Sequence, residues 1–247
     1  MSAKKLFGRE WSNKADYANT EDFTASQWAW EFLRRNPEYA TDWDWFNTTW
    51  LALEFEYGKP PNRDFNRWQQ DPRAHRVNDF QPSEEPENLL IECWMGSRWG
   101  FYVFPQSPSE EEPPPWREPE EVVTLLDGSE AEYFTANSGH IALGFDIHQP
   151  IEKQVEYCQR MLRILQRQAE QSGQMVVRNI ASQSQQWRVY LRLLDAQISG
   201  ASEKEIALAF GKIDIEKSYA IAQRLCAVGY LAIAALEINT GDQHEKK

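Results

Sequence analysis

GASEKEIALAFGKIDIEKSYAIAQRLCAVGYLAIA, residues 200–234, decides how the C-terminal end folds. Ser202 followed by Glu205 is a capping-box pattern, so a helix begins at about Glu203. Gly211 ends it early, and Ile206, Ala207 and Phe210 supply its buried face. Ala207 and Gly211 stand four apart, as in helix-turn-helix units, where a small residue admits the second helix and glycine permits the turn. The connecting GKIDI is longer than a minimal turn. A second helix is expected from about Glu216 to Val228, and its two sides divide cleanly. Ser218, Tyr219, Ile221, Ala222, Leu225, Cys226 and Val228 share one side; Glu216, Lys217, Ala220, Gln223, Arg224 and Ala227 share the other. Alanines flanked by cations and a glutamine suit a major groove: Arg and Gln can read base edges, and Lys can neutralise phosphate. An ordinary three-helix bundle with a solvated polar face fits the same pattern.

Upstream, the pattern is helical back to Pro150, which suits a first helical position. Ile151, Val155, Cys158, Leu162, Leu165 and Ala169 form one apolar stripe that runs until Gly173. Next, SQQWRVYLRLLDAQI carries Trp187, Tyr190, Leu191, Leu194 and Ile198 on one side, with Arg188 and Arg192 between them. At the front, SQWAWEFLRRN predicts a helix with Trp28 and Phe32 facing inward, closed by Pro37. Pro37 in turn opens a second helix striped by Tyr39, Trp43, Phe46, Trp50, Leu53 and Tyr57, stopped by Gly58-Lys-Pro-Pro. Trp30 and Trp45 lie off the main stripes and are candidates for a subunit interface, where aromatics are enriched. Residues 1–23 read as a polar arm, and 59–87 as loop with one short helix.

The middle reads as β. NLLIECW and SRWGFYVFP flank Met95-Gly96-Ser97 as a hairpin, EVVTLLDGSEAEYFTA carries an Asp127-Gly128 turn, and HIALGFDIH is a further strand. PQSPSEEEPPPWREPEE is an acidic, proline-rich connector. The expected fold is α+β: an N-terminal helical pair, a small central antiparallel sheet, and a C-terminal helical bundle with a helix-turn-helix-like unit. The corresponding divisions are 1–80, 81–149, 150–240 and a tail at 241–247.

A net charge of −12 argues against nucleic acid until its distribution is seen. Residues 1–150 hold 13 Lys and Arg against 27 Asp and Glu, whereas 151–240 hold 11 against 9. The acidic front suits a protein-facing role, such as RNA polymerase or a co-regulator. No long apolar run suggests a membrane span, and MSAKKLFGREW lacks the pattern of a secretory leader. Three widely spaced cysteines make a disulfide framework or structural zinc unexpected and place the chain in a reducing cytoplasm. His140, His148 and Cys158 do not guarantee convergent metal ligands. The acids at 84–87 and 110–121 sit in proline-rich tracts unsuited to paired catalysis, and no nucleophile elbow or phosphate loop occurs. No enzyme activity, cofactor or metal is expected.

WAWEFLRRNPEYATDW at 28–43 resembles the bacterial transcriptional regulator-like domain family, and SRWGFYVFP with Trp116 resembles that family's Trp-Gly hairpin. HIALGFDIHQPIEKQVEYCQRMLRILQ with LRLLDAQISGASEKEIALAFG is similar to the DNA-binding domain family typified by RovC. The resemblance implies binding to double-stranded promoter DNA, activation of type VI secretion genes and assembly into a homo-hexamer. On the residues themselves, Lys217 and Arg224 would face the groove with Gln223 reading or supporting. Arg188, Arg192, Lys204 and Lys212 would position the backbone. A module that sequesters another transcription factor without touching DNA stays open beside this reading, as does an aromatic ligand-binding module around the central sheet.

Overall fold

Thr24 starts the first α-helix with a capping box: its hydroxyl accepts the Gln27 amide at 3.3 Å, and Gln27 Oε1 accepts the Thr24 amide at 2.8 Å. In this computed structural model residues 7–80, 87–102, 104–117, 141, 143–171 and 179–241 are described. Helix α1 (Ala25–Leu33) is buried nearly all round, with Trp28, Trp30, Phe32 and Leu33 wholly enclosed. A short helix with no polar side to spare must lie at the centre of its unit. Trp30 therefore lines no subunit interface; its Nε1 donates to the Glu110 carbonyl at 3.0 Å. Trp45 is half-buried, edge-on to Trp94 and under the Arg76 guanidinium.

Asn36 caps α2 (Pro37–Tyr57), with Pro37 at its first turn and Gly58 closing it at φ 86°. Tyr39, Phe46 and Leu53 are buried, as their spacing predicts, and Trp50 leans on Trp68 from the short α3 (Phe65–Trp68).

The central region departs from the predicted sheet. Among the described residues the only ribbon pairs β1 (His75–Val77) antiparallel with β2 (Asn88–Leu90), Arg76 lying opposite Leu89. Where a hairpin is expected, the chain turns into helix α4 (Ile91–Trp99), with Met95-Gly96-Ser97 inside it. Ile91, Trp94, Met95 and Trp99 recur at three and four residues and are all buried, which only a helix achieves on one side. Trp99 is tied to α2 by an Nε1 bond to Asp42 at 3.1 Å. Past α4 a single isolated bridge sets Phe101 opposite Trp116, with rings 5.6 Å apart. Gly100 makes the turn at φ 79°, and a Cβ there would lie 2.5 Å from a Leu231 methyl. The strands expected around Asp127-Gly128 fall outside the described residues. In HIALGFDIH, residues 141 and 143–148 form no strand. Among the described residues helix dominates, and the small antiparallel sheet is this one two-stranded ribbon.

At the C-terminal end stand α5 (Ile151–Gln171), α6 (Ile180–Ile198), α7 (Glu203–Phe210), α8 (Ile215–Arg224), a π turn (Leu225–Gly229) and α9 (Tyr230–Gly241). Two compact units result. Met1–Glu118 and Val177–Lys247 form one; Pro119–Val176, which contains α5, forms the other. Within the first unit α1 packs on α9 and the π turn, while α6 packs on α8. Residues 7–23 are no free arm either. A 3-10 helix (Lys14–Asp22) lies against α6, with Tyr17 and Thr20 fully buried and Trp11 nearly so. By length and composition alone Ile215–Leu236 is apolar enough to cross a membrane. Ala222, Leu225, Cys226, Tyr230, Ile233 and Ala234 are nevertheless buried in the first unit, as in a core helix.

A buried ionic cluster joins the two ends of the sequence. Arg35, wholly enclosed, makes a two-pronged contact with Asp195 on α6 at 2.6 and 2.8 Å. Its remaining nitrogen meets both the carbonyl and the carboxylate of Glu31. Tyr17 donates to Asp195 at 2.6 Å, and Arg9 donates to Glu31 at 2.7 Å. Such charges are tolerable inside only when paired and hydrogen-bonded, as they are here.

Candidate nucleic-acid interface

Ser202 and Glu205 build the predicted capping box: the Ser202 amide donates to Glu205 Oε2 at 2.8 Å and the Ser202 hydroxyl accepts the Glu205 amide. The hydrogen bond from the Ser202 side chain holds the Glu205 carboxyl below its ordinary range. Helix α7 seats Ile206 against Leu193, Ala196 and Trp11, and Phe210 stacks parallel to Trp11 with centroids 6.5 Å apart.

Ala207, expected in that buried face, is exposed, so no helix closes on it. The reason is geometric: Trp11 fills the space beside Ile206 and Phe210, turning the Ala207 side outward. Gly211 has open space around it and φ 66°, so it serves the turn conformation and not a close approach. Leu208 is 88% exposed.

Asp214 opens α8 by accepting the Lys217 amide at 3.0 Å. Along α8, Glu216, Lys217, Ala220, Gln223, Arg224 and Ala227 are exposed, while Ala222, Leu225 and Cys226 are buried. That is the division read from the sequence, with one exception. Val228 belongs to the predicted apolar side yet is 57% exposed. The π turn explains it: a wider turn takes in an extra residue, delaying the inward face to Gly229 and Tyr230.

Four of the predicted contact cations stand in solvent: Lys204, Lys212, Lys217 and Arg224 are exposed, and none of them forms an ion pair among the described residues. Acids share the region, but they are used at helix starts. Glu203 and Glu205 lie in the first turn of α7, Glu216 lies in that of α8, and Asp214 is a cap. Past them the exposed side of α8 runs Lys217, Ala220, Gln223, Arg224, with low relief at the alanine. Such a surface offers hydrogen-bond donors and positive charge to a polyanion.

The two arginines of α6 do not join it. Arg188 is largely covered and lies 3.7 Å from Glu21. Arg192 is buried, donates from Nε to the Trp11 carbonyl at 3.0 Å and sits over the Phe210 ring at 4.6 Å. Burial lowers its pKa. Its guanidinium holds the N-terminal segment to α6 and α7, so the expected contact with a nucleic-acid backbone is corrected to an internal one.

Sequence reasoning also passed over the group that carries this scaffold: Glu31, Arg35, Asn36 and Asp195. The signals were present. Glu31 and Arg35 stand four apart on one helix, and Asp195 interrupts the apolar run LRLLDAQI.

Residues 10–55 match the model of the proteobacterial transcriptional regulator-like domain. No curated protein and no solved structure matches the chain significantly. The matched stretch spans the 3-10 helix, α1 and most of α2; of these, the 3-10 helix and α1 pack on α6, and α1 packs on α9. It supports a role in regulating transcription.

Proposed function

We propose that the chain is a site-specific DNA-binding transcriptional activator that grips promoter DNA with α7 and α8, used as a helix-turn-helix-like unit. The single observation that carries this reading is the exposed row Lys217, Ala220, Gln223 and Arg224, free of ion pairs among the described residues, on a chain whose front matches a regulator-like domain. Lys217 and Arg224 approach the groove, Gln223 reads or supports, and Lys204 and Lys212 steady the backbone. The overall net charge of −12 works against binding by a single copy. Several copies acting together on one promoter overcome that repulsion, which fits the homo-hexamer implied by likeness to the RovC type and its type VI secretion genes. The acidic front is then available to RNA polymerase or a co-regulator. The test is a gel-shift titration with the promoter upstream of candidate target genes. Lys217→Ala with Arg224→Ala should weaken binding at least tenfold while the protein stays folded; unchanged binding overturns the face assignment.

A second reading rests on the evenly mixed charge between residues 200 and 236 and on the exposed Leu208: a regulator that sequesters another transcription factor without touching DNA. Light scattering of the purified protein with and without DNA separates the two.

A further inference from the structure

The π turn redirects one apolar side chain. Continued as α-helix, residues 225–229 would keep Val228 in line with Ile221 and Leu225, three and seven residues earlier, on the apolar side. A residue of a π turn advances less around the axis than one of an α-helix, so five in succession lag the α period. Leu225, Cys226, Gly229 and Tyr230 stay buried, and Ala227 and Val228 come out on the other side. Val228 is 57% exposed and stands one turn beyond Arg224, on the side that carries Lys217, Ala220, Gln223 and Arg224.

The wide turn is braced from outside its own helix. Asn36 is buried and donates from Nδ2 to the Cys226 carbonyl at 3.0 Å. Leu231, the next large apolar residue on this side, is held differently, because its Cδ2 lies close over Gly100. Val228 is therefore the branched aliphatic group that continues the row of Gln223 and Arg224.

The chemistry of the row suggests what that group meets. In a major groove Arg suits guanine and Gln suits adenine, and the apolar feature that base pairs present there is the 5-methyl group of thymine. A helical turn covers about 5 Å, and base pairs stand about 3.4 Å apart. A group one turn past Arg224 thus reaches roughly one or two base pairs beyond the base that Arg224 meets.

We propose that Val228 is a specificity-determining residue that packs against a thymine 5-methyl group, and that the π turn is the device that aims it. This rests on the DNA-binding reading above and names a base that the site must contain.

The test uses the full chain and the promoter duplex of the gel-shift titration, with each thymine of the protected region replaced in turn by deoxyuridine. That exchange removes the methyl group and keeps the pairing. At one thymine the unaltered chain should lose affinity about fourfold, the worth of one buried methyl group. Val228→Ala should bind the thymine and uracil duplexes equally at that position, with an unchanged melting temperature. Arg224→Ala should bind more weakly and keep the thymine preference. Equal binding of every duplex by the unaltered chain overturns the inference, and so does a thymine preference that survives Val228→Ala. A change in sedimentation of the free protein on Val228→Ala, with the methyl preference intact, would place Val228 against a second copy and also overturns it. These outcomes leave DNA binding itself standing; a chain that shifts no duplex at all removes the DNA-binding reading, and this inference with it.

Discussion

Asn36 donates from Nδ2 to the Cys226 carbonyl at 3.0 Å, while its Oδ1 accepts the amides of Glu38 and Tyr39. One side chain thus caps α2 and serves a carbonyl in the π turn that displaces Val228 outward. Asn36→Ala loses both and should lower stability by about 2–3 kcal/mol in urea unfolding. Asn36→Ser keeps a capping hydroxyl that is too short for Cys226, and should recover about 1 kcal/mol of that loss. Equal midpoints for the two variants would show that the cap contributes nothing.

Arg35 and Asp195 are each buried without solvent contact. Asp195→Ala leaves the guanidinium without its two-pronged partner, which should cost about 3–5 kcal/mol. Arg35→Lys retains charge but not the fork, and should be substantially destabilised as well. Thermal unfolding of both variants measures it; a loss below about 1 kcal/mol for either would assign the pair the weight of a surface contact.

Glu31 sets an acid limit. Burial pushes its carboxyl up, but Arg35 and Arg9, with the Arg9 hydrogen bond and Arg34, override that and hold it at about 2. Since the folded value lies below the ordinary 4.5, the unfolded chain takes up the proton first. The stabilisation is therefore present above pH 4.5 and is lost as pH falls toward about 2. Chemical unfolding between those pH values should show a steep fall, and Glu31→Gln should flatten it. A slope unchanged by that substitution would place the acid sensitivity elsewhere.

Arg192 and Arg224 should behave oppositely. Arg192→Ala removes the contacts to Trp11 and Phe210 and should lower the melting temperature, with DNA affinity of the folded fraction retained. Arg224→Ala should leave melting unchanged and reduce the salt slope of DNA binding by roughly one contact. Competition binding at several salt concentrations, paired with melting curves, checks both; a reversed pattern would exchange their roles.

Alkylation should separate the cysteines. Cys93 is exposed and Cys158 half-buried, whereas burial pushes the Cys226 thiol up to about 12. Iodoacetamide on the native protein should modify Cys93 and Cys158 and reach Cys226 only after unfolding, as peptide mass spectrometry can report. Early labelling of Cys226 would mean that the contact between α1 and the π turn opens readily.

The sequence by itself determined the features set by near neighbours. Ser202 with Glu205, read as a capping box, starts a helix as expected, and Thr24 with Gln27 and Asn36 with the amides of Glu38 and Tyr39 start helices through bonds just as local. The exposed side of α8 followed from its period alone. Tertiary structure decided the rest, because its causes lie far apart in the chain. Residues 91–99 became a helix because Ile91, Trp94, Met95 and Trp99 could all be buried at once. Tyr17 finds Asp195 across 178 positions, and Arg192 finds Trp11 across 181, so a polar-looking arm became core and a candidate contact became an internal brace. A charged side chain's fate depends on whether folding brings it a partner; periodicity says which side of a helix it occupies, and not what waits there.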